Sequence, residues 1–208
     1  MKLITNTGIV RFWGALLFAG MSLVSVSSES SAARVGDSYG GGVVFFVDRT
    51  GEHGLIAAKE DITSIYEDGY GAGMIAGAFR WSTGQYKIPK HVDYAEKRVC
   101  STGTAIGSGA PNTKKILAKY PASDYPYTAA AVATAYRGGG FSDWFLPSRE
   151  ELNQLYLHKS VVDGFVDNYY WSSSEQSADH AWFEYFGKGI KYTTNKTHVN
   201  HVRPVRAF

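Results

Sequence analysis

Cysteine is nearly absent from this 208-residue sequence, in which Cys100 is the single example. One cysteine cannot form an internal disulfide bond, and it cannot supply the paired thiolates of a structural zinc site. The chain must therefore be stabilised by its core, for which 44% hydrophobic and 14% aromatic residues supply the material. We expect Cys100 to be buried and inert, because no histidine has a defined position from which it would activate the thiol.

Catalytic and cofactor-binding motifs are also missing. The sequence contains no G-x-S-x-G nucleophile elbow, no phosphate-binding loop and no H-E-x-x-H helix. His198 and His201 would lie on opposite faces of a strand, so they do not predict a metal site. The adjacent acids Glu150 and Glu151 are explained by the start of a helix. We therefore predict a protein that is not an enzyme and uses no metal or other cofactor.

Net charge is small, since 21 basic and 19 acidic residues give +2. This balance gives no reason to expect a nucleic-acid partner. The end of the chain differs from the rest, because no Asp or Glu follows Glu184. The polyanion-binding residues predicted in this acid-free stretch are Lys188, Lys191, Lys196, His198, Arg203 and Arg206.

Two interpretations of these cations remain open. If the late strands are neighbours in one sheet, the cations share a face that suits a sulfated or carboxylated polysaccharide, because Arg forms paired hydrogen bonds with oxyanions. Alternatively, they lie on a solvated sheet edge, where lysine only discourages pairing between strands of different molecules.

The N-terminal segment is typical of a secretory signal peptide. Lys2 and Arg11 precede an apolar run at residues 12–26, and Ser31, Ala32 and Ala33 form a small-residue cleavage site. We predict a signal peptide over residues 1–33 and a single domain over residues 34–208, with no membrane span after cleavage. The alternative is an uncleaved N-terminal anchor. Export predicts a location in the bacterial periplasm, at the cell envelope or outside the cell.

The stretch at residues 138–156 organises the rest of the chain. Ser148 and Glu151 form an S-x-x-E capping box, and Pro147 stops a helix from starting earlier. The glycines at residues 138–140 predict a sharp turn that brings Phe141 and Trp144 to the core. A phosphate cradle is a poor alternative, because seven residues separate the glycines from the helix.

The remaining patterns predict the fold class. Residues 43–47 and 55–58 form a hairpin around turn residues 48–51, and a helix begins at Thr128. Lys114 to Lys119 (KKILAK) adds one or two helical turns. Trp171 and Trp182 lie on successive strands as paired core aromatics rather than as platforms for a ligand. We predict an α+β domain with a mostly antiparallel sheet, two main helices and long loops. The residues assigned structural roles are Trp144, Pro147, Ser148, Glu151, Trp171 and Trp182.

Several ordered motifs together carry a resemblance to a known family. They are SDWFLPSREELNQLY, YYWSSSE, AWFEYFGKG and the terminal VRPVRAF, preceded by GGGVVFFVD and GEHGLIAAKED. This series resembles the C-terminal domain family of Legionella collagen-like adhesins, and the layout is similar to that of C-type-lectin-like domains. The matched segments span most of the chain after residue 33.

The resemblance implies adhesin-like binding of sulfated glycosaminoglycan or another cell-surface glycan, through a homotrimeric domain. Of the late cations, Lys188, Arg203 and Arg206 lie within matched motifs. The sequence has no Gly-X-Y repeat and therefore no collagen stalk. Two other functions remain open: an envelope hydrolase with a deep pocket within residues 59–126, and a protein-interaction module of a surface assembly with an exposed apolar patch.

Overall fold

The computed structural model describes residues 33–62, 78–82, 98–99 and 102–208. Ala32–Phe208 forms one compact unit. The predicted signal peptide lies outside the described residues except for Ala33, and Cys100 lies outside them as well. Among the described helices, none is both long and apolar enough to cross a membrane.

The first sheet is built on the predicted hairpin, which is confirmed. β2 (Gly42–Val47) pairs with β3 (Gly54–Ala57) in antiparallel register, with Val44 opposite Ile56. Asp48 accepts hydrogen bonds from the turn amides of Thr50 and Gly51 at 3.0 Å. The final strand of the chain adds to β3. The sheet has the order β1-β2-β3-β9, with β1 at Ser38–Tyr39, β2 at Gly42–Val47, β3 at Gly54–Ala57 and β9 at Val205–Ala207.

The second sheet contains the late strands of the chain. Its pairs are antiparallel except for the contact of β5 (Tyr169–Glu175) with β8 (Val199–His201). β7 (Ile190–Asn195) lies at one edge of the described sheet. Its order is β4-β8-β5-β6-β7, with β4 at Ala78–Arg80, β5 at Tyr169–Glu175, β6 at His180–Tyr185, β7 at Ile190–Asn195 and β8 at Val199–His201. The described part of the domain therefore contains two sheets rather than one, and the α+β prediction is confirmed.

Four α-helices pack against these sheets within the described residues. They are α1 at Gly109–Lys119, α2 at Ala129–Ala135, α3 at Arg149–Leu157 and α4 at Lys159–Val162. α2 begins as predicted, because the side chain of Thr128 accepts a hydrogen bond from the amide of Ala131. α1 extends beyond the predicted one or two turns and includes Pro111 in its first turn, where a proline is tolerated.

The predicted capping box of α3 is confirmed, and it also fixes the start of α1. Ser148 accepts from the amide of Glu151, whose carboxylate accepts from the amides of Ser148 at 2.8 Å, Gly107 at 2.7 Å and Gly109 at 3.2 Å. The carboxylate is fully buried, and burial raises the pKa of Glu151 while its three backbone donors oppose the rise. A side chain at Gly109 would collide with Glu151 and with Phe145. The carboxylate of Glu151 therefore links the start of α1 to the start of α3.

The core is built around buried tryptophans. The indole N–H of Trp81 donates to the carbonyl of Ser172 and that of Trp171 to the carbonyl of Phe79, each at 2.7 Å. The predicted pairing of Trp171 with Trp182 is wrong, because Trp171 lies opposite Phe183 and neighbouring residues of a strand point to opposite faces. Trp182 is half-buried on the other face, under the guanidinium of Arg149 at 4.8 Å.

The glycine turn at residues 138–140 forms as predicted, with Gly139 at a positive φ of 64°. It delivers Trp144 to the core, where 1% of the residue is exposed. The prediction that Phe141 also reaches the core is wrong, since it is 37% exposed and lies beneath the guanidinium of Arg206 at 3.8 Å. Pro147 holds α3 against the second sheet, because its carbonyl accepts from the amide of Ser173 at 2.7 Å.

Candidate functional site

Lys196 is part of the interior and not of a binding surface. Only 2% of the residue is exposed, and its ammonium donates to the carboxylate of Glu175 at 2.5 Å and to the carbonyl of Ala178 at 2.8 Å. It also lies over the ring of Trp81 at 4.6 Å. Burial lowers the pKa of Lys196, and the contact with Glu175 opposes that effect. A polymer outside the domain cannot reach this charge, so the predicted binding role is corrected to a structural one.

Arg203 is corrected for the same reason. It is 1% exposed, and its Nε donates to the carboxylate of Asp61 at 2.6 Å. The rest of the guanidinium donates to the carbonyls of Ala58 at 2.9 Å and Gly164 at 2.6 Å, and it stacks on Phe165 at 3.9 Å. The contacts join the chain end to β3 and to the segment after α4. Because the guanidinium is buried and its hydrogen bonds are made within the domain, Arg203 is a structural residue rather than a binding residue.

Arg206 and Lys191 are also engaged by acidic residues. Arg206 donates to Asp143 at 2.6 Å, and 13% of its side chain is exposed. Contact with Arg206 lowers the pKa of Asp143. Lys191 lies 3.7 Å from Glu150, with 32% of its side chain exposed. These pairs leave little unbalanced positive charge at either position.

Lys188 and His198 are the exposed members of the predicted set. Lys188 precedes β7 and has no ion pair with any described residue, whereas His198 follows β7 and contacts the hydroxyl of Thr194 at 2.7 Å. β7 has six residues, which span about 20 Å in a strand. The late cations therefore do not converge on a common face, and the predicted cationic surface of the C-terminal strands is not formed.

Helix α1 instead carries a cluster of exposed lysines, which we call the α1 lysine surface: Lys114, Lys115 and Lys119. The helix contains no acidic residue. Lys114 and Lys119 form no ion pair with any residue in the described ranges. Lys115 and Lys119 are four apart on one helical face, an arrangement of like charges that costs a helix a few tenths of a kcal/mol. The three lysines were visible in the sequence KKILAK. The sequence did not predict that the helix carrying them is eleven residues long.

An open groove of about 300 Å³ lies beside the α1 lysine surface. Its walls come from α1, from Thr134 of α2 and from residues 142–145. The lining residues are Ala110, Thr113, Lys114, Leu117, Thr134, Ser142, Asp143, Trp144 and Phe145. Its single carboxylate, Asp143, is tied to Arg206, so the groove offers none of the paired carboxylates that the hydrolase alternative requires. Part of the segment predicted for the hydrolase pocket lies outside the described residues.

One face of the second sheet exposes aromatic side chains. This aromatic surface consists of Tyr169, Phe183, Tyr185, Ile190 and Tyr192. Tyr192 is 54% exposed, Tyr169 is 45% exposed and Ile190 is 37% exposed. The ring centroids of Tyr169 and Phe183 lie 5.2 Å apart. This is the exposed apolar patch expected of a protein-interaction module.

The opposite face of the same sheet buries an isolated carboxyl group. Glu184 is fully buried, and neither carboxylate oxygen has a hydrogen-bond partner among the described residues. Burial raises the pKa of Glu184 to about 7, with Lys191 lowering it and Glu150 raising it further. Sequence reasoning treated Glu184 only as the last acid of the chain, because nothing local marks it as buried.

No group of three or more His, Cys, Asp or Glu side chains in the described part of the chain is arranged to hold a metal ion. His201 contacts the side-chain amide of Asn168 at 3.1 Å and lies 3.8 Å from Asp61. Burial lowers the pKa of His201. This histidine therefore belongs to the polar network around Asp61 rather than to a metal site.

Comparison with known proteins gives one family. None of the curated proteins compared with the chain matches it. The sequence profile of the Lcl C-terminal domain matches residues 91–206, which is more than half of the 208 residues. The matched range contains the capping box of α3, the strands β5 to β8, the first two residues of β9 and the α1 lysine surface. The chain belongs to the Lcl C-terminal domain family.

Proposed function

We propose that this domain is a non-catalytic binding module that recognises an anionic polysaccharide through the α1 lysine surface. Membership of the Lcl C-terminal domain family supports a surface-associated binding domain and a protein at the cell surface or secreted. The observation that carries the finer proposal is the exposure of Lys114, Lys115 and Lys119 on a helix without acidic residues. The ligand is a sulfated or carboxylated glycan of a cell surface.

Charge and geometry both support α1 over the C-terminal strands. The three lysines of α1 are exposed residues, and a polyanion can reach an exposed residue, whereas Lys196 and Arg203 are buried. A flexible ammonium group adapts to sulfates at variable spacing along a polymer. Lys188 and His198 lie at opposite ends of β7, and each makes a separate, weaker contact with the polysaccharide.

Chromatography on immobilised heparin tests the proposal. The triple variant Lys114→Ala, Lys115→Ala, Lys119→Ala removes the α1 lysine surface while alanine preserves the helix. We expect about tenfold weaker affinity, from three exposed charge contacts of about 0.5 kcal/mol each, and elution at lower salt. The matched control removes three exposed cations elsewhere: Arg34→Ala, Arg49→Ala, Lys59→Ala.

The control should elute close to the unchanged protein. Equal weakening of both triple variants would contradict the proposal, because it would mean that only net charge matters. Passage of the unchanged protein through the column without retention at low salt would also contradict it. A third variant, Lys188→Ala, Lys191→Ala, Arg206→Ala, asks whether the C-terminal strands carry the contact instead.

We also propose that the aromatic surface joins copies of the chain, which accounts for the homotrimer implied by the sequence resemblance. The surface includes Ile190 and Tyr192 of β7, and an edge strand presents unpaired backbone groups to a neighbouring molecule. Tyrosines exposed to this extent are typical of interface centres.

Sedimentation velocity over a range of concentrations tests this association. We expect the unchanged protein to form a larger species as concentration rises and Tyr192→Lys to remain monomeric, because a charge on the most exposed residue of the aromatic surface opposes its burial. Leu157→Lys replaces a 60% exposed apolar residue elsewhere and should associate normally. A protein that stays monomeric at every concentration would rule the association out.

A further inference from the structure

A buried carboxyl group without a partner lies next to a lysine that pairs elsewhere. Glu184 is fully buried in the second sheet, and neither of its carboxylate oxygens accepts a hydrogen bond from any described residue. The residues opposite it in the sheet are Tyr170 on β5 and Lys191 on β7. The hydroxyl of Tyr170 donates to Asp61 at 2.6 Å and is therefore not a donor for Glu184. A buried carboxylate without donors is costly, so this site favours the neutral, protonated form.

Lys191 is placed to be the missing partner, but its ammonium group lies elsewhere. Residues directly opposite in an antiparallel pair share a face with their Cβ atoms about 5 Å apart, so the side chain of Lys191 can reach Glu184. The ammonium group instead lies 3.7 Å from the carboxylate of Glu150 on α3. That distance is too long for a hydrogen bond, and both side chains are about one-third exposed. The pair of Lys191 with Glu150 is therefore weak.

Glu150 does not depend on Lys191 for a partner. Arg149 contacts the same carboxylate with both Nε and Nη2, each at 2.8 Å. The guanidinium of Arg149 also lies 4.8 Å from the ring of Trp182, which is two residues before Glu184 and on the same face of β6. Loss of the contact with Lys191 would leave Glu150 paired and the start of α3 in place.

We propose that Lys191 changes partners when Glu184 gains or loses a proton. While Glu184 is protonated, the ammonium group stays at Glu150 and ties the edge strand β7 to α3. When Glu184 releases its proton to the solvent, the ammonium group turns to the new carboxylate and leaves α3. The exchange needs only the rotation of one partly exposed lysine side chain. β7 also carries Ile190 and Tyr192 of the aromatic surface, so the protonated state holds the strand of the proposed association more firmly.

The electrostatics of the site set this exchange near neutral pH. Burial raises the pKa of Glu184 to about 7, while Lys191 lowers it and Glu150 raises it further. Charges attract each other more strongly in a buried site than at the surface, because the local dielectric constant is lower. Once Glu184 is ionised, its carboxylate therefore attracts the ammonium group of Lys191 more strongly than the partly exposed Glu150 does.

The neighbouring strands add little charge of their own to this face. Burial raises the pKa of Tyr170 on β5, so its hydroxyl stays neutral near pH 7. Asp61, the acceptor of that hydroxyl, is paired with Arg203 at 2.6 Å. The ring of His201 on β8 lies 5.4 Å from that of Tyr170, and burial lowers the pKa of His201. Among the described groups around Lys191, the one that changes charge near neutral pH is therefore Glu184.

NMR titration of the ¹³C-labelled full chain from pH 5 to pH 9 tests the proposal. We expect the side-chain carboxyl resonance of Glu184 to titrate near pH 7, and the ¹³Cε resonance of Lys191 to move with the same midpoint. Lys191→Met removes the ammonium group but keeps the length of the side chain, so the midpoint of Glu184 should rise by about one pH unit. The matched control, Lys188→Met, removes an exposed lysine just before β7 and should leave the midpoint unchanged.

Crystal structures at pH 5.5 and pH 8.5 distinguish a change of partner from an electrostatic effect without movement. We expect the ammonium group of Lys191 beside Glu150 at the lower pH and within about 3 Å of Glu184 at the higher pH. Glu184→Gln carries no charge at either pH and should keep Lys191 beside Glu150 in both structures. The proposal is overturned if Lys191 of the unchanged protein has one position at both pH values, or if Lys191→Met and Lys188→Met give equal midpoints for Glu184.

Discussion

Single residues in this domain are defined by partners that lie far along the chain. Arg203 pairs with Asp61 across 142 residues, and Lys196 pairs with Glu175 across 21 residues. Because these contacts depend on the folded topology, a run of late cations in the sequence suggested a binding face that does not form. α1 contributes three exposed lysines within six residues, of which Lys114 and Lys119 have no ion pair in the described ranges.

Glu184 gives a prediction about stability and pH. Its pKa is raised from the usual 4.5 to about 7 in the folded protein, so the folded state keeps a proton that the unfolded state releases. The free energy of unfolding should therefore fall as pH rises from about 4.5 to about 7, and it should level off above that range. The loss should be about 3 kcal/mol.

Urea unfolding at pH 5 and pH 8 measures this effect. Glu184→Gln cannot ionise, so its loss of stability between the two pH values should be smaller than that of the unchanged protein by about 3 kcal/mol. Glu52→Gln alters an exposed carboxylate and should keep the original pH dependence. Identical pH dependence in all three proteins would show that Glu184 is ionised and solvated in the folded state.

Glu151 gives a second prediction, because one carboxylate serves two helix starts. Glu151→Ala leaves the amides of Ser148, Gly107 and Gly109 without their acceptor, so we expect a loss of at least about 3 kcal/mol in the free energy of unfolding. Glu150 is the adjacent residue, is half-buried and forms partly exposed ion pairs with Arg149 and Lys191. Glu150→Ala should therefore lower the free energy of unfolding by less than about 1 kcal/mol. Comparable losses in chemical denaturation would refute the shared role.

At the scale of elements, the sequence predicted correctly the features that depend on neighbouring residues. The hairpin of β2 and β3, the Thr128 start of α2 and the Ser148 capping box each depend on residues within a few positions of one another, and all three are confirmed. The start of α1 was missed, because Ser108 makes no side-chain cap and the missing acceptor comes from Glu151, more than 40 residues away.

The candidate site shows the same division. Trp144 was predicted to be buried and is, but its contacts with Val44, Ile56 and Ala58, nearly 90 residues or more away in the sequence, required the fold. The three lysines of KKILAK were visible in the sequence, while their exposure on an eleven-residue helix required the fold. The prediction that Trp182 pairs with Trp171 was wrong. The two residues lie on consecutive strands, but the register of the strand pairing places Phe183, not Trp182, opposite Trp171.

At the scale of the whole molecule, two surfaces have the functions that we propose. The α1 lysine surface binds the polymer, and the aromatic surface joins copies of the chain. Several copies in one assembly would raise the apparent affinity for a repeating polymer well above that of one site, because later contacts form at high effective concentration.

The most direct test is a map of where the polymer touches the domain. Backbone amide shifts of the ¹⁵N-labelled protein, recorded while a heparin-derived tetrasaccharide is added, report contacts residue by residue. Our account predicts saturable shifts concentrated in α1. Shifts concentrated in residues 188–206, with α1 unchanged, would contradict it.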